Sequence, residues 1–191
     1  GEELGMTNRK CRDFSEFRDI EIKNAYRDFV GSGILDEETM LKFVNAIGRD
    51  NARFPMHWDD SDNAGFTTGT PWISVNENYK KINAAAQVND PDSVFSYYKK
   101  LIELRHQMEI IVYGVYKSKA IEHPDVFAYT RTLGDETLFV VCNFREQEMD
   151  FTLEDGFTGD EKVLISNYDD VVKTENGIYL RPYEAKVFYR K

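Results

Sequence analysis

The sequence contains little that would suit a secreted, membrane-bound or nucleic-acid-binding protein. Its 191 residues include only two cysteines, Cys11 and Cys142, which are too few for a disulfide-stabilised secreted domain, so we expect two unpaired thiols. No run approaches the roughly 20 consecutive apolar residues of a membrane-spanning helix, and the amino-terminal segment does not resemble a signal peptide. The 34 acidic residues outnumber the 24 basic ones, and no basic run is long enough to neutralise a phosphate backbone. We therefore expect a soluble, cytoplasmic protein whose partners include neither nucleic acid nor a membrane.

The apolar content is high enough for one large domain or two small ones, and the first part of the chain has helical spacing. Between residues 15 and 48 the apolar positions predict two helices, the first with Ser15 as its N-cap and ending before Gly31. Asp36 is the predicted N-cap of the second helix, and Gly48 is the predicted stop.

Residues 49–89 have no regular period but hold both tryptophans and many Asn, Asp, Gly and Thr residues. Long ordered loops of this composition are often functional. Helical spacing then returns, and Asp90 followed by Pro91 predicts a capped helix over residues 90–107.

After residue 109 the period changes from helical to two. Seven short apolar runs predict strands: IVYGVY, DVFAYTR, TLFVVCNF, MDFTL, KVLIS, GIYL and AKVFYR. Turn-forming pairs such as Gly134-Asp135 and Asn176-Gly177 separate them, which favours an antiparallel sandwich or open barrel. We place the domain boundary here, with residues 1–108 before it and an all-β domain over residues 109–191.

The cluster formed by residues 49–53 is the strongest candidate site. Arg49, Asp50, Asn51 and Arg53 place two guanidinium groups, an acid and an amide ahead of Trp58. Sugar hydroxyls suit planar hydrogen-bonding groups of this kind, and sugar ring faces suit aromatic walls. A surface ion-pair network that holds the loop is an equally weighted alternative.

A calcium loop is the less favoured interpretation of residues 59–65. Asp60 and Asp62 alternate as ligands would, and Gly65 stands at the sixth position, but Ala64 occupies the fifth. Pro71 stands where a bidentate glutamate would close the site. We expect a solvated turn, with no metal and no cofactor.

The histidines and the first acids offer weaker candidates. His57, His106 and His123 lack metal-ligand spacing and an adjacent nucleophile, so we expect structural or surface roles. Glu2 and Glu3 resemble acids at the end of a barrel strand, where catalytic faces are built, but a capping role is equally compatible.

Several segments together resemble one enzyme family. They are GEELGMTN, RDIE, GRDNARFPMHWD, AGFTTGTPWISVN, DPDSVFSYYKKLIELR and VFAYTR. The chain resembles, over nearly its whole length, the oligo-1,6-glucosidase and dextran glucosidase branch of the α-amylase-like glycoside hydrolases.

The resemblance implies an α+β chain: the partial end of a TIM barrel followed by an antiparallel β-sandwich C-terminal domain. GEELGM would end the eighth barrel strand, residues 9–89 would form the eighth βα loop, residues 90–107 the last barrel helix and residues 109–191 the sandwich. Such enzymes retain anomeric configuration by means of carboxylates that lie upstream of this segment. No catalytic residue is therefore assigned here, and the chain alone is expected to be inactive.

The resemblance also implies substrate-binding roles. Arg49 is similar to the residue that pairs with an upstream aspartate and grips the terminal glucose of an α-glucosidic oligosaccharide, and Asn51 and Arg53 would support that wall. The start at Gly1 without methionine leads us to expect that a barrel segment is missing upstream, and this segment would be the partner of the chain.

The sequence departs from the family pattern at a few positions, and two alternative functions remain open. Phe54 and His57 stand where relatives often have threonine and glutamine, which bears on linkage preference. Ala52 stands where trehalose-6-phosphate hydrolases frequently have serine, so it favours isomaltose-type substrates without excluding that sister group. A carbohydrate-binding or purely structural β-module without catalysis is the alternative from another class.

Overall fold

The computed structural model describes residues 1–191 and divides into two compact units, Gly1–Tyr98 and Lys99–Lys191. The helices are α1 (Ile20–Ala25), α2 (Glu37–Ile47), α3 (Ala84–Gln87), α4 (Val94–Gln107) and α5 (Glu109–Tyr113). The strands are β1 (Val115–Lys119), β2 (Val126–Leu133), β3 (Glu136–Asn143), β4 (Met149–Thr152), β5 (Lys162–Ser166), β6 (Val172–Thr174), β7 (Gly177–Leu180) and β8 (Ala185–Arg190). None of the helices combines the length and the apolar character that crossing a membrane requires.

The first unit consists of short helices and turns around a small apolar core. Its buried members are Cys11, Phe17, Ile22, Met40 and Val44. A π-helical turn over Tyr26–Val30 continues α1, and single 3-10 turns punctuate the remainder. This unit therefore relies on capping and loop hydrogen bonds as much as on its core.

The two helices predicted over residues 15–48 are present, but one cap was predicted wrongly. Asp36 caps α2 through the amide of Thr39, at 2.7 Å, and Gly48 ends that helix, as predicted. Ser15 is not an N-cap, because it lies inside a 3-10 turn and its own amide donates to Asp13. The backbone becomes extended after that turn, and α1 begins only after Asp19, whose carboxylate caps it.

The helix predicted over residues 90–107 begins four residues later, at Val94. Asp90 accepts a hydrogen bond from the amide of Asp92 at 3.0 Å and closes a turn instead of capping a helix. Ser93 supplies the cap, because its Oγ accepts from the amide of Ser96 at 3.1 Å. Helix α4 has no buried residue.

The second unit is an antiparallel β-sandwich, as the sequence predicted. One sheet has the order β1-β2-β3-β8-β5 and the other β4-β7-β6, with every pairing antiparallel. The core between the sheets is apolar and consists of Val126, Ala128, Phe139, Val141, Phe151, Leu153, Phe157, Ile178, Leu180 and Phe188. The α+β fold class is thereby confirmed.

The strand prediction was wrong at two places. The first part of the run IVYGVY is helical, because α5 buries Ile110 completely and ends where Gly114 donates to the Ile110 carbonyl oxygen at 3.0 Å. Strand β6 was missed, since three residues are too few to show an alternating pattern. A two-residue turn joins it to β7, where Gly177 has no room for a side chain because a Cβ would lie 2.1 Å from the carbonyl oxygen of Phe151.

Candidate functional site

The predicted site forms a 3-10 turn, Arg49–Ala52, that follows α2 directly. Asp50 is its anchor and is only 1% exposed. Its Oδ2 accepts from the backbone amides of Arg18, at 2.6 Å, and Asp19, at 3.0 Å. The turn is therefore fastened to the start of α1.

Arg53 completes this attachment from the other side of the turn. Its Nη1 donates to Asp50 Oδ1 at 3.2 Å and also to the carboxylate of Asp19. The hydrogen bond from Arg53 lowers the pKa of Asp19, which in turn caps α1 through the amide of Glu21 at 2.7 Å. The ion-pair network that the sequence left open as an alternative is thus present. We call Asp19, Asp50 and Arg53 the carboxylate clamp.

Asn51 closes the end of α2. Its Nδ2 donates to the carbonyl oxygen of Asn45 at 3.0 Å, and Asn8 donates to the same oxygen at 3.1 Å and to that of Ala46 at 2.9 Å. These bonds satisfy carbonyl groups that a helix end leaves without partners. The Oδ1 of Asn51 is buried and has no hydrogen-bond partner.

Arg49 is the exception within the turn, because its exposed side chain has neither a hydrogen bond nor an ion pair. Both of its neighbours are held in place. Asp50 is held by the clamp, and the backbone amide of Gly48 donates a hydrogen bond to the carbonyl oxygen of Val44 at 2.9 Å. The turn therefore presents a free guanidinium group on a fixed backbone.

A cavity of about 300 Å³ lies beside this turn. Its lining residues are Gly1, Glu2, Met6, Thr7, Asn8, Asn51, Ala52 and Phe54. Arg49 is not among them. Glu2 and Glu3 lie in a 3-10 turn, and Glu2 accepts from the hydroxyl group of Tyr98 at 2.6 Å. The cavity is therefore lined by amide, hydroxyl and carboxylate groups and by one aromatic side chain, Phe54.

His57 is fully buried, and its Nδ1 lies 2.8 Å from the carbonyl oxygen of Ile82. Its Nε2 has no partner, and burial lowers its pKa below the ordinary histidine value. His123 accepts from two backbone amides through Nδ1, and His106 lies exposed in the last turn of α4. These placements agree with the structural or surface roles predicted for the histidines.

The acidic loop at residues 59–65 is a tight turn. Asp59 Oδ1 accepts from the amide of Ser61 at 2.8 Å. Asn63, Ala64 and Gly65 all have positive φ angles, and a Cβ at Gly65 would lie 2.6 Å from the Asp59 carboxylate. The structure contains no group of three or more His, Cys, Asp or Glu residues arranged to hold a metal ion.

Sequence reasoning missed the partners of the site. Asp19 and the amide of Arg18 lie more than 30 positions from Asp50, and Asn8 lies 37 from Asn45. No local pattern signals such contacts. The repeated acid and guanidinium types at residues 49–53 were the only available signal.

The fold, a helical and loop unit followed by an antiparallel β-sandwich, is that of the end of a TIM-barrel enzyme with its C-terminal domain. Residues 1–114 match the family model described as alpha amylase, catalytic domain, and residues 126–187 match the alpha-amylase SusG C-terminal domain. The chain belongs to the α-amylase family, which confirms the resemblance seen in its sequence.

The chain is similar to several characterised proteins. The oligo-1,6-glucosidase of Parageobacillus thermoglucosidasius is 50% identical over 190 residues, covering 98% of this chain and 34% of that protein. The trehalose-6-phosphate hydrolase of Bacillus subtilis is 44% identical over 191 residues, covering 98% of this chain and 34% of that protein. The crystal structure of the isomaltulose synthase SmuA from Protaminobacter rubrum matches with a TM-score of 0.92 at 43% identity, covering 99% of this chain and 34% of that one. The chain thus spans about a third of the length of the relatives it matches.

Proposed function

We propose that this chain is the C-terminal portion of a retaining α-glucosidase that hydrolyses terminal α-1,6 or related α-glucosidic linkages of oligosaccharides. The observation that carries the proposal is the 50% identity to an oligo-1,6-glucosidase along 98% of the chain. The polar turn beside a cavity that is lined by polar groups, Met6 and Phe54 supports it, because sugar sites combine a few fixed polar groups with apolar walls.

Within this proposal, Arg49 contacts the terminal glucose, and Asn51 and Arg53 support the wall of the pocket. The free guanidinium group of Arg49 supports the first role, since it is the one side chain of the turn with all its donors available. Asn51 and Arg53 are already hydrogen-bonded within the protein, which favours a structural role in the pocket wall and disfavours direct contact with the sugar.

The chain alone is proposed to be inactive, because the family's catalytic carboxylates lie upstream. Its partner is the remaining barrel segment, and residues 1–108 are proposed to be barrel and residues 109–191 sandwich. Helix α4 supports this assignment, since it carries Val94, Leu101 and Ile102 at 44%, 39% and 54% exposure. Exposed apolar side chains on a helix without a buried residue favour a covering element.

A trehalose-6-phosphate hydrolase is the second candidate. The 44% identity to the Bacillus subtilis enzyme supports it. Ala52, on the cavity wall, favours the isomaltose-type substrate over this one. A binding or structural β-module is disfavoured, because such a module has no need of residues 1–108.

The site of action is proposed to be the cytoplasm. The two cysteines support this, since both are free thiols and burial raises the pKa of each. Unpaired, protonated thiols are typical of a reducing compartment.

The test is release of glucose from isomaltose, p-nitrophenyl α-glucoside and trehalose 6-phosphate by the full-length enzyme and by this chain. We expect turnover of the first two by the full-length enzyme and none by the chain. Preferential turnover of trehalose 6-phosphate would select the second candidate. Turnover by the chain itself would contradict the upstream placement of the catalytic carboxylates. Glu2 and Glu3 would then become the candidate catalytic acids.

A further inference from the structure

We propose that the carboxylate clamp is a positioning device: Asp50, Arg53 and Asp19 fix the backbone of the turn so that Arg49 meets the substrate already oriented. The inference rests on the proposed function, since it assigns Arg49 to the substrate. It adds that the neighbouring charged residues act through Arg49 and do not bind sugar themselves.

The first argument is that Asp50 is buried and that both of its carboxylate oxygens already accept hydrogen bonds from the protein. Its Oδ2 accepts two backbone amides, from Arg18 and Asp19, and its Oδ1 accepts from Arg53. A carboxylate that is 1% exposed has to be paired and hydrogen-bonded in this way, because an isolated buried charge is strongly unfavourable.

The second argument concerns the closeness of the turn to the helices on either side. A Cβ at Gly48 would lie 2.4 Å from the carbonyl oxygen of Val44 and 2.9 Å from Ile22 Cδ1. Only glycine fits between α2 and α1 at this point. The backbone is therefore held immediately before Arg49 by Gly48 and immediately after it by Asp50.

The third argument is that the two arginines differ in their partners. Arg53 directs Nη1 to both clamp carboxylates, whereas Arg49 has no partner. A rigid backbone that presents a free guanidinium group loses less conformational entropy on binding, and small displacements of positioning groups cost up to about a hundredfold in rate. The clamp thus preorganises the backbone from which the Arg49 side chain extends.

The test has one part that does not depend on activity. In the full-length enzyme, Asp50→Asn and Arg53→Met are each expected to accelerate amide hydrogen exchange at positions 51 and 53 by about tenfold or more. The amides at these positions donate to the carbonyl oxygens of Gly48 and Asp50. Exchange in the middle of α2 should not change. Unaltered exchange at residues 48–53 in both variants would overturn the clamp, whatever the enzyme's activity. Arg53→Met serves as the second variant, because Arg53 is partly exposed and tolerates replacement more easily than Asp50.

The second part uses the full-length enzyme and a double-mutant cycle. Asp50→Asn should lower kcat/KM on isomaltose by about tenfold to a hundredfold, mainly through KM. In an Arg49→Ala background the same substitution should change kcat/KM less than about twofold, because the group that it positions is absent.

The matched control is Glu184→Gln, another buried carboxylate that pairs with an arginine but lies in the other unit. It should leave KM unchanged in both backgrounds. Full additivity of Asp50→Asn and Arg49→Ala would overturn positioning. Absence of any glucoside turnover by the wild-type enzyme would instead overturn the proposed function and leave the exchange result to decide the clamp.

Discussion

At the scale of single residues, His57 shows how one nitrogen can make stability depend on pH. The ring is buried, Nδ1 bonds to the carbonyl oxygen of Ile82, and Nε2 faces no acceptor. A proton on Nε2 would place a charge on a buried ring, so burial lowers the pKa and favours the neutral ring in the folded chain.

We expect the chain to lose stability as the pH falls below about 6.5, where the unfolded histidine takes up a proton and the folded one does not. Between pH 7.5 and 5.5 this single group can contribute at most about 1.4 kcal/mol. Urea unfolding at the two pH values would measure the difference. His57→Gln should make it smaller, whereas His106→Gln, which replaces an exposed ring, should leave it unchanged. An equal pH dependence in wild type and His57→Gln would contradict the assignment.

A second residue-scale case is the buried ion pair of Glu184 and Lys186 in the sandwich. Lys186 Nζ lies 2.6 Å from Glu184 Oε1, and Arg181 Nε lies 3.0 Å from Glu184 Oε2. Burial alone would raise the pKa of Glu184, but hydrogen bonds from Arg181 and Lys186 outweigh it and hold the pKa below its ordinary value. Lys186 also donates to Ser166 Oγ at 3.0 Å, so the charges are fully paired.

Glu184→Gln is therefore expected to lower the free energy of unfolding by about 3 kcal/mol, because it leaves the Lys186 charge buried without its counter-charge. Chemical denaturation of the purified chain would measure the loss. Glu175→Gln, at an exposed turn position, is the control and should change stability by less than about 0.5 kcal/mol. A loss no larger than that of the control would show that water reaches the pair.

At the scale of elements, α4 is a 14-residue helix without a single buried residue. Its apolar residues Leu101 and Ile102 are exposed, so we expect the isolated chain to self-associate in a concentration-dependent manner. Leu101→Ser with Ile102→Ser should reduce the association seen by analytical ultracentrifugation. Lys99→Ser with Glu103→Ser introduces the same residue type on the same helix and should not. Equal association of both double variants would show that another surface is responsible.

The elements also show what local patterns can and cannot predict. Apolar spacing predicted α2, α4 and most strands, because periodicity reflects the buried face of each element. It did not locate the start of α4, since the choice between Asp90 and Ser93 as cap depends on the turn that precedes the helix. It also misassigned α5, because a short apolar run fits a strand or a helix until the burial of Ile110 decides between them.

At the scale of the whole chain, the candidate site was only partly predictable for a related reason. Residue types at 49–53 indicated a polar, sugar-suited cluster, but the division between a free Arg49 and a bound Arg53 depends on Asp19, 34 positions away from Arg53. Contacts over such separations are set by the packing of α1 against α2. A single sequence contains no local trace of them.

The two units are expected to differ in their resistance to protease. The sandwich has a continuous core between two hydrogen-bonded sheets, whereas the first unit has a small core and a long irregular segment that exposes Trp58, Phe66 and Trp72. Segments with few buried apolar contacts open more easily, and cleavage follows opening. Limited chymotrypsin digestion should therefore cut within residues 49–83 first and leave a resistant fragment that contains residues 109–191. Mass spectrometry of the early products would identify it.

The control variant replaces Trp58, Phe66 and Trp72 by serine, which removes the exposed aromatic cleavage sites of this segment. If a less selective protease still cuts residues 49–83 of this variant first, the order of cleavage reflects local opening. If it does not, the order reflects the site preference of chymotrypsin. Early loss of residues 109–191 would contradict both the domain assignment and the proposal that the first unit needs an upstream partner.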